Sequence, residues 1–444
     1  MCGARSTGTR HDGPRPGRTV APSQPLGYHV RVTTPPAPSD LIRARYRLGE
    51  LDSADPRRDA RDRALAIARE QTLEVPSGAA TPEIEAALLG RVLSVEAVDA
   101  SDGGRPATGA ARHGPAASAS VEIGYAPELL DGSLTQFLNV VWGNVSLMEE
   151  VRLEELRIPP DVLARFPGPR HGIEGIRGRI PDGDARPLVA SALKPVGLGV
   201  SDLADLARHL VRGRVDVIKD DHGLADQGLA PFAARVQSVT AAIRDENERT
   251  GHHTLYFPNV TAPDGQLLDR VRLATEVGAE GVVVCPGLVG LDALRAVREL
   301  PDAPIVMAHP SHANTAPGAT RGIAPPLLIG TLWRLAGADC VIYVNARGRF
   351  AWPLDACLTI NERAREPLGA HRRAFPVPAG GIQAADVGHW FRTYGPDTLL
   401  LIGGSVLEAD DVTAAARAVV DAAHRAGRDV GREGAAAAGH PDHA

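Results

Sequence analysis

Four polar residues in succession follow a short apolar segment near the middle of the chain. Residues 215–218 lead directly into Lys219, Asp220, Asp221 and His222. A buried strand seldom ends in four titratable groups unless something binds there. Alternation along a strand points Asp220 away from Lys219 and Asp221, so only three of the four groups are predicted to face one site.

The elements that would position this site alternate regularly. From about residue 187, short apolar runs are separated by helical stretches such as 202–212, 231–249 and 266–279. The eight runs are PLVASALKP, RVDVIKDD, TLYFPNV, GVVVCPG, APIVMAHP, DCVIYVN, FPVPAGG and TLLLIGG. Eight βα units predict a TIM (β/α)8 barrel, because a doubly wound sheet rarely gives eight evenly spaced parallel strands.

The first part of the chain has a different pattern. YHVRVTTP and SVEIGYAP alternate like strands, and RDARDRALAIAREQT resembles a helix. We therefore expect an α/β chain with a smaller α+β domain and an antiparallel sheet at 27–160, followed by the barrel domain at 161–426. The Arg-, Pro- and Gly-rich residues 1–26 and the end of the chain at 427–444 are predicted to be disordered tails.

Polar residues and glycines end most of the predicted barrel strands, where TIM barrels have their active sites. They are Lys194, Asn259, Thr261, His309, Asn345, Arg347 and Arg349, with the pairs Gly380-Gly381 and Gly403-Gly404 after the last two strands. Chance could place polar groups on one or two strand ends, but packing hardly explains this number. The glycine pairs predict a phosphate site built from backbone N–H groups, although tight turns would also use glycine.

Composition excludes several classes of partner. The net charge of −6 and the sequence pI of about 6.2 argue against nucleic acid or an anionic membrane. The cysteines show no CxxC or zinc spacing, which is typical of a reducing cytoplasm. No apolar stretch approaches the ~20 residues that span a bilayer, and residues 1–26 lack the apolar core of a secretory signal. We expect a cytoplasmic protein.

Several long motifs resemble the RuBisCO large-chain superfamily. They are FLNVVWGNV (137–145), LRIPPDVLARFPGPRHGIEGIR (156–177), ALKPVGLGVS (192–201), VDVIKDDHGLADQ (215–227) and the AGGI and IGGS pairs. Three departures separate the chain from true carboxylases. Val196 replaces a lysine, YVNARGRFAW lacks the mobile-loop lysine, and His222 replaces a glutamate. The chain is therefore similar to the RuBisCO-like proteins (form IV), which do not fix carbon dioxide.

This resemblance implies a metal-dependent site. Lys219 would be carbamylated by CO2 and would bind Mg2+ together with Asp221 and His222; an imidazole ligand would shift the preference towards Mn2+ or another divalent metal. Alternatively, His222 lies outside the metal shell and serves as an acid, a base or a spacer. Lys194 would be the general acid/base. His309, Arg347 and Arg349 would contact the substrate oxygens, carboxylate or phosphate, or have structural roles.

The resemblance also implies a homodimer whose active sites lie at the subunit interface, with a higher oligomer as an alternative. Glu70, Thr72 and Asn144 of one subunit would complete the substrate site of the other, beside Asn259 of the barrel. Without the resemblance, Glu70 would be read as a solvated charge at a helix end.

The KDDHGLADQ form favours one branch of the family, whose members decarboxylate 3-oxo sugar-acid phosphates such as 3-oxo-isoapionate 4-phosphate. The leading hypothesis is therefore a decarboxylase that acts through a metal-stabilised enediolate. The alternative is an enolase or isomerase of methionine-salvage type, although that enolase branch generally keeps the glutamate. A catalytically inactive scaffold is a third hypothesis, which the retained Lys194, Lys219 and Asp221 disfavour.

Overall fold

The computed structural model describes residues 35–52, 54–98, 117–181, 186–263 and 265–438. Thirteen strands occur in these residues. They are β1 Ile42–Leu48, β2 Arg91–Val98, β3 Ser118–Tyr125, β4 Val151–Arg157, β5 Leu188–Leu193, β6 Val217–Asp220, β7 Leu255–Phe257, β8 Gly281–Val284, β9 Ile305–Ala308, β10 Gly322–Ile323, β11 Cys340–Val344, β12 Phe375–Ala379 and β13 Leu399–Leu401.

Fifteen α-helices connect and cover these strands in the same part of the chain. They are α1 Pro56–Glu70, α2 Pro82–Leu88, α3 Leu134–Trp142, α4 Pro160–Leu163, α5 Gly172–Arg177, α6 Val200–Arg212, α7 Phe232–Thr250, α8 Gln266–Glu276, α9 Pro286–Val289, α10 Asp292–Arg298, α11 Trp333–Ala336, α12 Leu354–Arg365, α13 Val387–Tyr394, α14 Gly404–Leu407 and α15 Val412–Ala438. A π-helical segment, Pro326–Leu332, leads into α11.

The first sheet has the order β10-β4-β1-β3-β2, and four of its five strands come from the N-terminal part of the chain. Its central strand β1 is antiparallel to both β3 and β4. Alternate residues of β1 are buried, as expected for a strand with one face against a core. The short strand β10 comes from the barrel half of the chain and pairs with β4, so the two halves share this sheet.

The second sheet contains eight parallel strands in the order β7-β6-β5-β13-β12-β11-β9-β8. A bridge between Asn259 and Val283 joins β7 to β8 and closes the sheet into a barrel. All eight predicted runs form these strands, and the predicted fold class is confirmed: a TIM barrel preceded by a smaller domain with an antiparallel sheet.

Side chains on the strands separate into an inner and an outer core. The inner cluster includes Val217, Phe257 and Ile342, and it also contains Ile173 and Ile176 of α5. Asp339 fixes α5 there, because its carboxylate accepts the backbone N–H groups of His171 at 2.7 Å and Gly172 at 2.8 Å. Helix α5 therefore covers the N-terminal end of the barrel and leaves the opposite end open.

The structure describes part of one of the two predicted tails and none of the other. Residues 1–26 lie outside the described residues. Helix α15 continues to Ala438, so residues 427–438 are helical where a tail was expected, and 439–444 are not described. The predicted boundary at residue 160 remains a prediction. None of the described helices is long and apolar enough to cross a membrane.

Candidate active site

A cavity of about 830 Å³ opens at the C-terminal end of the barrel. Its size is within the range of small-molecule sites, roughly 300–1,000 Å³. Ten of the predicted site residues line it: Lys194, Lys219, Asp221, His222, His309, Arg347, Arg349, Gly380, Gly403 and Gly404. The fold therefore brings together residues that are more than 200 positions apart in sequence.

Strand β6 separates Lys219 from Asp220 as alternation predicts. Lys219 is on the inner face with Val217 and is almost fully buried. Asp220 is on the outer face, where it accepts hydrogen bonds from Arg235 Nε at 3.1 Å and Tyr256 OH at 2.8 Å. The outer aspartate thus fixes the strand end, and Lys219 faces the cavity.

Burial changes the chemistry of Lys219. Its Nζ donates to the carbonyl oxygen of Asp220 at 2.7 Å. Burial lowers the pKa of Lys219 to about 8, although the charges of Asp221 and Asp220 oppose that shift. A buried amine with this pKa is partly uncharged near neutral pH and can therefore react as a nucleophile.

Asp221 is the anionic centre of the site. Its Oδ1 is 2.6 Å from Lys194 Nζ and 3.4 Å from His222 Nδ1. Partial burial would raise the pKa of Asp221, but the hydrogen bonds from His222 and Lys194 outweigh it and hold this pKa well below its ordinary value. The carboxylate is therefore ionised at any physiological pH.

His309 stacks on His222, with ring centroids 4.3 Å apart and ring planes 16° from parallel. Burial, reinforced by the charges of Lys219 and His222, holds the pKa of His309 well below its ordinary value, so the ring is neutral. Its Nδ1 accepts the backbone N–H of Ser311 at 3.1 Å. The ring proton is consequently on Nε2, which makes His309 a hydrogen-bond donor.

The loops that follow β11, β12 and β13 meet at the rim of the cavity. Gly380 and Gly381 have φ values of 98° and 67°, which favour glycine. A Cβ on Gly381 would lie 2.4 Å from Gly348 N, so this glycine also permits close contact with the β11 loop. A smaller cavity of about 210 Å³ between the two glycine pairs leaves space for a small anion.

The two predicted arginines are held differently. Arg347 Nη1 is 3.2 Å from Asp386 Oδ1, and its guanidinium lies over the Trp390 ring. Arg349 instead lies over the ring of Phe350, with 4.8 Å between the guanidinium carbon and the ring centroid. Arg347 is therefore fixed to the barrel, whereas Arg349 depends on the contact with its neighbour.

Some predicted residues do not line the cavity of their own chain. Asn259 donates to the carbonyl oxygens of His222 at 3.0 Å and Leu224 at 2.9 Å, so it supports the β6 loop rather than extending into the cavity. Glu70 and Asn144 form a separate pair in the first domain, 3.0 Å apart. Thr72 donates to a backbone carbonyl near them.

Other residues at the cavity escaped the sequence analysis. His312 and Asn314 line it with φ values of 58° and 50°, in the left-handed region that non-glycine residues rarely adopt. Phe350 and Trp352 line it as well. The sequence did contain one signal for the central residues. Lys194 and Lys219 are the only lysines in 444 residues, so arginine replaces lysine everywhere except at this cavity.

The donor atoms of the site fit a divalent cation. Asp221 and His222 offer a carboxylate beside an imidazole. Among the described residues, no three His, Cys, Asp or Glu side chains converge on one metal position. A third protein ligand would therefore come from Lys219, whose amine becomes an oxygen ligand only as a carbamate. This set suits Mg2+ through its oxygens and Mn2+ through its imidazole.

Comparison with known proteins places the chain in a family. Residues 173–350 match the model for the ribulose bisphosphate carboxylase large chain, catalytic domain. The chain is 39% identical over 374 residues to 5-methylthioribulose-1-phosphate isomerase of Rhodospirillum rubrum, covering 84% of this chain and 93% of the relative. It is 37% identical over 293 residues to 2,3-diketo-5-methylthiopentyl-1-phosphate enolase of Geobacillus kaustophilus, covering 65% and 70%.

Solved structures agree with these matches. A RuBisCO-like protein from Rhodopseudomonas palustris superimposes with a TM-score of 0.74 and 34% identity, covering 87% of this chain and 98% of that one. The dimeric archaeal Rubisco from Hyperthermus butylicus gives a TM-score of 0.76 at 26% identity, with coverage of 89% and 92%.

The predicted decarboxylase function is wrong, because the relatives are an isomerase and enolases. The error has a chemical reason. Decarboxylation, enolisation and isomerisation all pass through an enediolate, so the residues that stabilise it do not distinguish the three reactions. A histidine at position 222 does not by itself identify the decarboxylase branch of the family.

The pKa of Lys219 predicts how stability depends on pH. Below pH 8 Lys219 is charged in both the folded and the unfolded chain. Burial of that charge then lowers the free energy of unfolding by its full amount. Between about pH 8 and 10.5 the folded chain loses this proton first, so the stability of the wild type rises with pH. Lys219→Met should therefore be more stable than wild type at pH 7, by on the order of 2 kcal/mol, and the difference should shrink by pH 10.

Urea unfolding of both proteins at pH 7, 8.5 and 10 measures this difference. Lys194→Met is the matched control, because it removes the other lysine of the chain, whose side chain is 43% exposed rather than buried. A stability difference between Lys219→Met and wild type that does not vary with pH would contradict the prediction.

Proposed function

The chain is a RuBisCO-like protein of the RuBisCO large-chain superfamily, and from that membership we propose that it isomerises a phosphorylated ketose of the 5-methylthioribulose 1-phosphate type. The observation that carries the proposal is the cluster of Lys194, Asp221 and neutral His309 in one cavity. The 39% identity to the isomerase over 93% of its length supports the choice of reaction.

Isomerisation of a ketose moves a carbonyl group along the carbon chain through an enediol. A proton leaves the carbon beside the carbonyl and another is delivered to a different carbon, so one mobile base is sufficient. Lys194 would supply it as the free amine, once its ammonium group has lost a proton to solvent, because its Nζ is inside the cavity on a partly exposed side chain and is 2.6 Å from Asp221 Oδ1. His309 donates from Nε2 to the substrate oxygen on which negative charge develops.

We propose that Lys219, as its carbamate, holds a divalent cation together with Asp221 and His222. When bound, Mg2+ or Mn2+ would stabilise negative charge on adjacent substrate oxygens. The N–H groups of Gly380, Gly381, Gly403 and Gly404 and the guanidinium of Arg347 would bind the phosphate. Asp221 is then shared between the cation and Lys194, which couples metal binding to the position of the base.

The enolase named among the relatives is the second candidate, since its reaction has the same first proton transfer. The identity to it extends over a smaller part of the chain. The longer match to the isomerase favours that reaction.

The test of function is proton transfer in deuterated water. With Mg2+ and bicarbonate present, 5-methylthioribulose 1-phosphate should convert to an isomeric ketose that carries deuterium, as followed by NMR. Lys194→Met should lower the rate at least ~100-fold, because the base is removed. Arg208→Met, on the outer side of α6, is the control and should retain full activity. Conversion of only the 2,3-diketo substrate would support the enolase instead.

Carbamylation can be detected directly, because the chain has only two lysines. With 13C-bicarbonate and Mg2+, the protein with an acetylated α-amino group should show one carbamate carbon signal. The signal should persist in Lys194→Met and disappear in Lys219→Met, because burial lowers the pKa of Lys219 to about 8. A signal that persists in Lys219→Met, or no signal in the active wild type, would show that Lys219 is not carbamylated.

We also propose a homodimer in which Glu70, Thr72 and Asn144 complete the partner's site. The separation of their cluster from the cavity of the same chain supports this arrangement, and one solved relative is dimeric.

Co-expression of Asn144→Ala with Lys194→Met should restore about a quarter of the wild-type activity, because half of the dimers then contain one intact site. The same variants mixed without subunit exchange are the control and should remain inactive. No gain on co-expression would mean that each chain forms its own site.

A further inference from the structure

Asn345 follows β11 directly and carries a polar side chain that the reaction proposed above does not use. Ile342 and Val344 take the inward positions of this strand end, whereas Tyr343 packs in the outer core. By alternation Asn345 belongs to the outward side, and it is fully buried there. A buried amide is costly unless both of its ends are hydrogen-bonded, so its partners define its role.

The partners of the Asn345 amide come from two other elements of the barrel. Asn345 Nδ2 donates to the carbonyl oxygen of Gly380 at 3.1 Å, and Asn345 Oδ1 accepts from Tyr394 OH at 2.7 Å. Tyr394 is the last residue of α13 and is itself buried. A carbonyl oxygen can only accept, so Nδ2 must face Gly380 and Oδ1 must face the hydroxyl. The amide therefore has one orientation that satisfies both contacts.

The contact with the Gly380 carbonyl also fixes the direction of the next N–H group. The Gly380–Gly381 peptide is planar and trans, so the N–H of Gly381 points opposite to the carbonyl of Gly380 and away from Asn345. In the described part of the chain, this N–H donates to no acceptor. Gly381 lines the cavity of about 210 Å³ between the two glycine pairs. Glycine peptides change orientation easily, and Asn345 removes that freedom.

Helix α13 also supports the arginine that lies beside this turn. Trp390 is one helical turn before Tyr394 and stacks on it, with ring centroids 5.2 Å apart and ring planes 9° from parallel. The Arg347 guanidinium carbon lies 5.5 Å from the centroid of the Trp390 ring. Asp386, at the N-cap of α13, holds the same guanidinium. One helix therefore positions both the glycine turn and Arg347.

We propose that Asn345 and Tyr394 are positioning residues for phosphate binding. Tyr394 orients the Asn345 amide, the amide holds the Gly380 carbonyl, and the carbonyl directs the Gly381 N–H towards the anion. The inference rests on the proposed function, which assigns the phosphate to the glycine pairs and Arg347, and it adds the buried residues that make this turn competent. Neither Asn345 nor Tyr394 contacts the substrate.

Inorganic phosphate is the probe, titrated by calorimetry into the full-length protein. Tyr394→Phe removes only the hydroxyl and should weaken phosphate binding about tenfold, because the amide loses the donor that orients it. Asn345→Asp replaces the donor to Gly380 with an acceptor and should weaken it at least as much. In turnover of the phosphorylated ketose, KM should rise by the same factor in Tyr394→Phe, whereas kcat should change less than about threefold.

Tyr125→Phe is the matched control. Its hydroxyl is also buried and lies 2.9 Å from Tyr46 OH, but in the first sheet rather than the barrel. This variant should lose stability without any change in phosphate binding. Equal weakening in both tyrosine variants would overturn the inference, because it would show a general loss of structure.

Calorimetry and turnover separate the positioning role from the proposed reaction. Wild-type turnover of the ketose, with phosphate binding and KM unaltered in Tyr394→Phe, would refute the positioning role and leave the isomerase standing. Phosphate binding that depends on Tyr394 and Asn345, without turnover of the ketose, would support the positioning role and refute the isomerase. A wild-type protein that binds no phosphate would also overturn the inference.

Discussion

The buried ion pair of Asp220 and Arg235 is the interaction on which the site depends. Both side chains are fully buried on the outer face of β6, and Asp220 also accepts from Tyr256 OH and the backbone N–H of Asn259. These contacts fix where the strand ends and which face of it is turned inward. Lys219 and Asp221 reach the cavity because Asp220 cannot leave the outer layer without an uncompensated buried charge.

The charges of the cavity form a second constraint. One carboxylate, Asp221, lies beside two lysines, Lys194 and Lys219, so positive groups exceed negative ones before any ligand binds. Hydrogen bonds from His222 and Lys194 keep Asp221 ionised, and burial, reinforced by nearby positive charge, keeps His309 neutral. A cavity of this charge would attract the anionic, phosphorylated substrate proposed above, and the carbamate proposed on Lys219 would supply the missing negative charge for a divalent cation.

Much of the fold could be predicted from the chain, because periodic apolar runs and polar strand ends are local features. All eight barrel strands and the inward-facing Lys219 were predicted in this way. The reaction was not predicted correctly, because several reactions share an enediolate intermediate and His222 alone does not distinguish them. The hydrogen bonds of Asn259 to the β6 loop were not predicted, since a strand-end amide can face a ligand or a loop carbonyl, and the sequence does not show which.

The sequence by itself determined the barrel, the order of its strands along the chain and the residue types at their ends. It also restricted lysine to two positions, both of which line the cavity. Only the tertiary structure decided which of these residues meet. Closure of the sheet between Asn259 and Val283 brings the ends of β5, β6, β9, β11, β12 and β13 to one cavity. Burial there, which depends on the packing of distant segments, lowers the pKa values of Lys219 and His309.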